Sequence, residues 1–359
     1  MLSLWTHDAI TGNERKAVTA KAVDQGTQWS MNISGTGECS FVFAVEDTDD
    51  GLTLERIREL FAPNSTHLSL RWGETAVIGA WKVEDWDFGD DESTIIVTGV
   101  EIRNETSWRM TYGVSLYESG TLTVMNRSHQ GAVRAILARF MQWSPEWGYA
   151  IDLPADGAGT FSQTWEFWKK LTIADLLKQI EDEGYEILFR PYLTSARQLR
   201  YEVIVAPRVS TGVSYFHLQA VDSPLSGVRY KESGIEQLTG GQGTGTGTGQ
   251  DQPVAWAGGP PYLIPIRDAQ RQFPDLEGAR LQAATDAWFA ENRSVQSQWT
   301  VKTFTASEEY PATQAAVGQG WQLESEKHPV FPKGRHGVRV ISASGSWSNQ
   351  INVEVQRGS

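Results

Sequence analysis

The 359-residue sequence predicts a mainly β fold with an α+β insert in the middle. Both ends of the chain carry short β-branched and aromatic segments of alternating polarity, separated by Gly, Asp and Asn. Each end also contains one segment with helical spacing, and two helix-start signals followed by strand-type segments lie between the ends. We therefore predict three regions, which cover residues 1–115, 116–225 and 226–359.

The N-terminal region is predicted to contain short strands and one helix. The helix spans Leu54 to Phe61, with Thr53 as its N-cap. A set of strands with one helix is typical of a small barrel or sandwich. The strands are predicted over residues 15–23, 28–34, 39–45, 67–72, 75–84 and 93–102.

The middle region is predicted to be two helices and a hairpin. Ser128 is the expected N-cap of a helix that ends near Gln142. A second helix opens with a capping box of Thr172 and Asp175, and Gly184 is its natural C-terminal stop. Strands over residues 185–189 and 199–206 follow.

The C-terminal region is predicted to return to strands around one helix. The helix is expected over residues 276–292, and the strands over residues 227–231, 235–239, 295–304, 317–323, 337–342 and 350–356. A Gly- and Thr-rich tract, residues 240–253, has no bulky side chain to anchor a core, so we predict a flexible loop there. It has neither the Lys of a Walker-type loop nor the helix of a dinucleotide loop, so it is not a phosphate site.

Composition excludes several classes of function. A net charge of −13 argues against a nucleic-acid-binding or anionic-membrane surface. Cys39 is the single cysteine, which rules out an internal disulfide and a thiolate metal site, and its strand context favours a small buried hydrophobe. Without a signal-like N-terminus or a long apolar run, we expect a soluble protein that is made in a cytoplasm and has no membrane anchor.

Tryptophan and histidine are the other informative residue types. The 15 Trp residues favour core or subunit-interface positions over a platform for sugars. No two of the 6 His residues have the i, i+4 spacing of a helical zinc site. We therefore predict no catalytic, cofactor-binding or metal-binding residue, and no enzyme.

Two acidic segments, residues 46–51 and 85–92, are candidate functional loops. Neither has the spacing of an EF-hand, and ordinary solvated turns are the favoured interpretation. The alternatives are a Ca²⁺ site or a glycosidase that uses paired carboxylates beside Trp86. The candidate residues are Asp47, Asp49, Asp50, Asp85, Asp87, Asp90 and Asp91.

Four segments, in this order, carry a family resemblance. They are residues 53–61, residues 184–191, residues 227–234 before the Gly-rich tract, and residues 323–340 with Pro329, Pro332 and Gly334. With them the sequence resembles the tail-hub minor tail proteins of long-tailed phages, especially phages of actinobacteria. Those proteins are relatives of the central hub of contractile-tail baseplates.

The resemblance implies two tube-type β-barrel domains that flank the middle helix-and-hairpin region. Three copies then present six barrels, and this homotrimer joins the six-fold tail tube to the three-fold tip at the virion tail tip. The implied partners are a distal tail or tail-tube protein above, and the tape measure protein and tail-tip or fibre proteins below. DNA passes through without specific binding.

If the resemblance holds, the seven aspartates lie in barrel loops that face the lumen or a neighbouring ring. Residues 235–239 become the first strand of the second barrel, and the Gly-Thr tract is a loop of that barrel whose length departs from the pattern. The alternatives are a tail-associated glycosidase that uses the acidic loops and a host-glycan-binding tail-tip protein.

Overall fold

A computed structural model describes residues 2–19, 22–45, 52–89, 93–112, 117–142, 148–260 and 264–357. The helices are α1 Leu54–Leu60, α2 Glu105–Trp108, α3 His129–Phe140, α4 Ile173–Asp182 and α5 Gly278–Asn292. The strands are β1 Leu2–Asp8, β2 Glu14–Ala17, β3 Ala22–Asn32, β4 Glu38–Ala44, β5 Thr66–Trp72, β6 Ala76–Asp87, β7 Thr94–Val100, β8 Leu122–Arg127, β9 Ile151–Asp152, β10 Phe161–Trp165, β11 Glu186–Leu193, β12 Leu199–Ala206, β13 Gly212–His217, β14 Leu225–Ser226, β15 Arg229–Ser233, β16 Gly240–Thr244, β17 Val254–Gly258, β18 Asp268–Gln272, β19 Gln296–Thr300, β20 Thr303–Thr305, β21 Gln319–Ser325, β22 Gly334–Gly345 and β23 Gln350–Arg357.

The predicted helix starts are confirmed by their caps. The hydroxyl of Thr53 accepts a hydrogen bond from the backbone N–H of Arg56, and α1 begins at the next residue. Ser128 caps α3 in the same way. Thr172 and Asp175 form the expected reciprocal capping box at the start of α4. These side chains satisfy backbone donors that the first helical turn leaves unpaired.

A 13-stranded sheet joins the two ends of the chain, and the mainly β fold is thereby confirmed. The N-terminal strands run in the order β3, β4, β7, β6, β5, β1, β2, and β22 continues the sheet beyond β3. At this joint, Ser342 lies opposite Asn32 and Gly345 opposite Trp29. The strands expected for two separate barrels therefore share one open, branched sheet in the part of the chain that the structure describes.

One hydrophobic core lies beneath both sets of strands. Trp81, Phe41 and Trp321 are fully buried members of it. The indole of Trp29 closes the joint by donating to the carbonyl of Ser346 at 3.1 Å. A Cβ on Gly345 would approach the Trp29 ring to 2.9 Å, so the joint requires glycine at this position.

The middle region forms the predicted helices and hairpin around its own core. Strands β11 and β12 pair from Glu186 opposite Ala206 to Leu193 opposite Leu199. Helices α3 and α4 bury their apolar stripes in the same cluster as the inward side chains of this hairpin.

The Gly-Thr tract differs from its prediction. Gly240–Thr244 is the central strand of a small sheet in the order β17, β16, β18, so the predicted loop over residues 240–253 is wrong for its first five residues. Helix α5 packs directly on this strand: a Cβ on Gly243 would lie 1.9 Å from Thr285 Oγ1, and one on Gly241 would lie 2.8 Å from the Trp288 ring. The glycines allow this close approach of helix to backbone.

Other strand predictions need correction. Residues 235–239 form a turn and not a strand. The strand expected over residues 15–23 is divided between β2 and β3, and β1 was not predicted. Strand β1 pairs along its full length with β5, about 60 residues later, and such a distant partner leaves no local signal.

Candidate interaction surfaces

The two acidic segments begin at the same end of the large sheet. Strand β4 ends at Ala44, which lies opposite Thr94 at the start of β7. The backbone N–H of Val45 donates to the carbonyl of Ser93 at 2.9 Å. The segments at 46–51 and 90–92 are therefore attached side by side. The candidates that lie within them, outside the described residues, are Asp47, Asp49, Asp50, Asp90 and Asp91.

Asp85 and Asp87 lie on β6 beside these attachments, so the predicted loop over residues 85–92 is wrong for its first three residues, which extend the strand. Both side chains are exposed, and each accepts a hydrogen bond from the next backbone N–H, at 2.8 Å for Asp85 and 2.9 Å for Asp87. Asp85 lies opposite Thr98 of β7, and Asp87 lies opposite Ile96. The arrangement presents carboxylates to solvent at the end of the sheet.

A carboxyl group with a perturbed pKa lies elsewhere. Burial raises the pKa of Glu101 to about 8. Its Oε2 accepts a hydrogen bond from the backbone N–H of Gly37 at 2.5 Å, and the residue is only 6% exposed. A carboxyl group this deeply buried does not reach a substrate, so Glu101 is not placed as the general acid of a glycosidase.

A polar groove of about 730 Å³ runs across the joint of the large sheet. Hydroxyl and amide side chains dominate its lining, two glutamates add negative charge, and no Lys or Arg is among the described residues that form it. Its polar side chains are those of Gln28, Ser30, Glu38, Ser40, Glu84, Thr98, Ser344 and Asn352.

A buried ionic cluster fixes the N-terminal sheet to the middle hairpin. Arg71 donates to Nε2 of His7 at 2.8 Å and pairs with Glu14 at 2.8 Å. Arg197, from the turn between β11 and β12, pairs with the same Glu14 at 2.9 Å. Burial, together with the charge of Arg71, lowers the pKa of His7 to about 4. A neutral His7 accepts from Arg71, so this histidine has a structural role.

His67 extends this cluster to β12. The Tyr201 hydroxyl and Nδ1 of His67 share a hydrogen bond of 2.7 Å, and burial lowers the pKa of His67 to about 3. Sequence reasoning missed the cluster, although His67, Ser69 and Arg71 alternate along β5 and so share one face. No group of three or more potential metal ligands among His, Cys, Asp and Glu occurs within the described ranges.

A second ion pair connects the sheet joint to the hairpin. Arg339 of β22 is 4% exposed, and its guanidinium forms a bidentate pair with Glu186 of β11. Glu186 also accepts the backbone N–H of Val209 at 2.8 Å. Buried ionic contacts of this kind hold elements in one relative position.

The tryptophans of the described residues divide between core and surface. Five are buried: Trp29, Trp81, Trp165, Trp299 and Trp321. Three are strongly exposed: Trp108, Trp168 and Trp256. The expectation that most tryptophans lie in the core or at subunit interfaces stays a prediction for those outside the core.

Sequence comparison and structural comparison give different results. No protein-family model matches the chain, and no curated protein matches it. Among solved structures, it is similar to the 43 kDa tail protein of prophage MuSo2 from Shewanella oneidensis, with a TM-score of 0.59 at 12% identity over 99% of this chain and 98% of that one. It is also similar to the tail protein from Neisseria meningitidis MC58, with a TM-score of 0.55 at 9% identity over 99% and 96%.

This chain has the fold of phage tail proteins. The tail-protein fold also relates it to a type VI secretion component of E. coli, which exhibits structural similarity to the T4 bacteriophage tail proteins gp27 and gp5. That match has a TM-score of 0.52 at 9% identity over 95% of this chain and 75% of that one. The narrower resemblance to proteins of actinobacterial phages stays a prediction. In the described residues, none of the helices combines the length and apolarity needed to cross a membrane.

Proposed function

We propose that the chain is a structural tail-hub protein of a phage virion. Three copies form a ring that joins the six-fold tail tube to the three-fold tail tip. The observation that carries this proposal is the likeness of fold to a prophage tail protein over 99% of this chain and 98% of the other. A match that extends from end to end concerns the whole architecture and not one widespread module. Because fold alone does not assign function, the surfaces supply the further support.

The polar groove is the surface that we assign to the DNA channel. Retention of DNA requires Lys or Arg against its phosphates. The described lining of the groove offers hydroxyls, amides and the carboxylates of Glu38 and Glu84 instead. Together with a net charge of −13, this surface lets DNA slide past without binding it.

The acidic segments are the second surface that we assign to the ring. They are attached side by side at one end of the sheet, where Val45 bonds to Ser93. Like charges gathered at one end repel phosphate and favour a basic partner. We propose that the segments carrying Asp47, Asp49, Asp50, Asp90 and Asp91, together with the end of β6 that carries Asp85 and Asp87, face the lumen or a neighbouring ring.

The remaining assignments follow from the tail-hub proposal. The regions 1–115 and 226–359 act as the two tube-type units, whose strands share the large sheet within one chain, and residues 116–225 form the middle of the hub. A distal tail or tail-tube protein lies above, and the tape measure and tail-tip or fibre proteins lie below. The chain is made in the host cytoplasm, resides at the virion tail tip and acts through its interfaces without catalysis.

Mass photometry of the purified chain tests this proposal. A trimer has three times the chain mass of 39.9 kDa, and we expect this species to persist as the protein is diluted. Class averages of the same sample should show a three-fold ring with a central opening. A stable monomer that binds no tail component contradicts the tail-hub proposal.

A further inference from the structure

The small sheet of β17, β16 and β18 has one covered face and one open face. Gly241 and Gly243 point towards α5, because a Cβ on either would meet Trp288 or Thr285. Since side chains alternate along a strand, Gly240, Gln242 and Thr244 point to the opposite face. Helix α5 itself lies against the middle region, where Arg280 pairs with Glu183 at 2.5 Å. The opposite face of the small sheet is therefore directed away from α5. It is open around Gln242, whereas Thr244 at its end is buried.

An exposed indole and two amides form one row across this open face. Gln242 lies opposite Trp256 on one side and opposite Gln270 on the other. Neighbouring strands are about 4.8 Å apart, so the three side chains are adjacent. Trp256 is 66% exposed. Gln270 is exposed and Gln242 is half-buried, so both amides offer hydrogen-bonding groups at this face.

The next row places a carboxylate on the same face. Gly240 lies opposite Gly258 on β17 and opposite Asp268 on β18. The Asp268 carboxylate covers Gly240, because a Cβ on this glycine would lie 2.5 Å from Asp268 Oδ1. The Thr239 hydroxyl donates to the same Oδ1 at 3.2 Å and holds the carboxylate in place. The strands that carry Trp256 and Asp268 are two strand spacings apart, about 10 Å.

The charges on this face determine the class of ligand. Arg271 lies opposite Gly243 and stacks over Phe273 at 5.1 Å, so it belongs to the α5 side. Arg267 donates both ends of its guanidinium to the backbone carbonyls of Gly234 and Ile235. The open face thus presents an indole, amides and one carboxylate, without a cation from the described strands. A phosphate, a nucleic acid or an anionic polymer requires cations.

We propose that this face binds a neutral saccharide. The C–H face of a pyranose ring packs on the exposed Trp256 indole, which offers a large rigid apolar surface. The amides of Gln242 and Gln270 and the carboxylate of Asp268 then donate to and accept from the sugar hydroxyls. This proposal does not depend on the tail-hub assignment, because the small sheet and α5 carry it alone.

A glycan array of neutral hexose and N-acetylhexosamine oligosaccharides, probed with the full chain, tests the proposal. We expect binding to at least one glycan, and Trp256→Ala should weaken that binding at least tenfold in a following titration with the same free oligosaccharide. Gln242→Ala should weaken it several-fold. Trp168→Ala is the matched control, since Trp168 is 59% exposed on the middle region, and it should bind as the wild type does.

Two outcomes overturn the proposal. One is the absence of binding to any neutral glycan by the wild type. The other is equal binding by the wild type and Trp256→Ala. A second copy of the chain is the competing occupant of this face, and mass photometry of Trp256→Ala tests for it. If the variant loses the oligomer but keeps glycan binding, the face is a contact between copies of the chain. Because the indole is largely exposed, circular dichroism of this variant should match that of the wild type.

Discussion

Replacing Gly243 by alanine tests the position of the Gly-Thr tract in the fold. The new methyl group would lie 1.9 Å from Thr285 Oγ1, 3.0 Å from Thr285 Cβ and 3.2 Å from the Phe273 ring. Thr285 is fully buried and donates to the Leu281 carbonyl at 2.7 Å, so it has no free space to move into. Helix α5 must then shift away from β16.

The expected cost follows from overpacking in a closed core. Such insertions cost about 1–3 kcal/mol. Removing the Thr285 hydroxyl relieves the closest contact, so Gly243→Ala/Thr285→Ala should be less destabilised than the sum of its single variants, by about 0.5 kcal/mol or more. The relief is partial because the contacts to Thr285 Cβ and the Phe273 ring remain. Gly234→Ala is the control, since its methyl group meets only Gln237 Oε1 at an ordinary 3.6 Å.

Hydrogen exchange followed by mass spectrometry is the suitable assay, because it reports on this sheet separately from the rest of the chain. Every 1.4 kcal/mol corresponds to a tenfold change, so the amides of Gly240–Thr244 should exchange about 5- to 150-fold faster in Gly243→Ala. Gly234→Ala should leave their exchange close to that of the wild type. Equal protection in Gly243→Ala and wild type would refute the packing argument, and unprotected amides in the wild type would show that the tract is a loop.

Three further predictions address the ionic contacts and the acidic loops. Glu186→Ala removes the carboxylate partner of the buried Arg339 and should lower the free energy of unfolding, measured by urea denaturation, by about 3 kcal/mol. The control Glu59→Ala removes the exposed ion pair with Lys16 and should change it by less than about 1 kcal/mol. Burial raises the pKa of Glu101 from 4.5 to about 8, so between these pH values the folded protein keeps a proton that the unfolded chain releases. The free energy of unfolding of the wild type should therefore fall, by a few kcal/mol at most, as the pH rises from 4.5 to 8. Glu101→Gln should lack this fall, and identical pH profiles would count against the buried carboxyl. Charge reversal at Asp47, Asp49 and Asp50 should slow DNA ejection from the virion without blocking tail assembly. Unchanged ejection would argue against a lumenal position of these residues.

The sequence predicted those helices and strands that are determined by residues close together in the chain. The caps at Thr53, Ser128 and Thr172 act within three residues, so the pattern alone identifies them. Helix α5 was expected to end at Asn292, and it does, while its start at Gly278 is two residues later than predicted. Strand β12 has the predicted bounds, because its apolar residues alternate, whereas β11 continues to Leu193, beyond the predicted residues 185–189.

Features that depend on distant partners were not predictable in this way. The strand Gly240–Thr244 has no apolar pattern, because the space for side chains is filled by Thr285 and Trp288, more than 40 residues later. The cluster of His7, Arg71 and Glu14 closes only when the hairpin brings Arg197 against it. In both cases tertiary packing, and not local propensity, decides the outcome.

The most direct test of the tail-hub proposal is a cryo-EM reconstruction of the tail tip of the virion that encodes this chain. The proposal predicts three copies in one ring at the end of the tube, with the polar groove lined by Ser30, Ser40, Thr98 and Ser344 facing the central channel. A tail tip that lacks the chain, or a ring with this groove on its outer surface, would contradict the proposal.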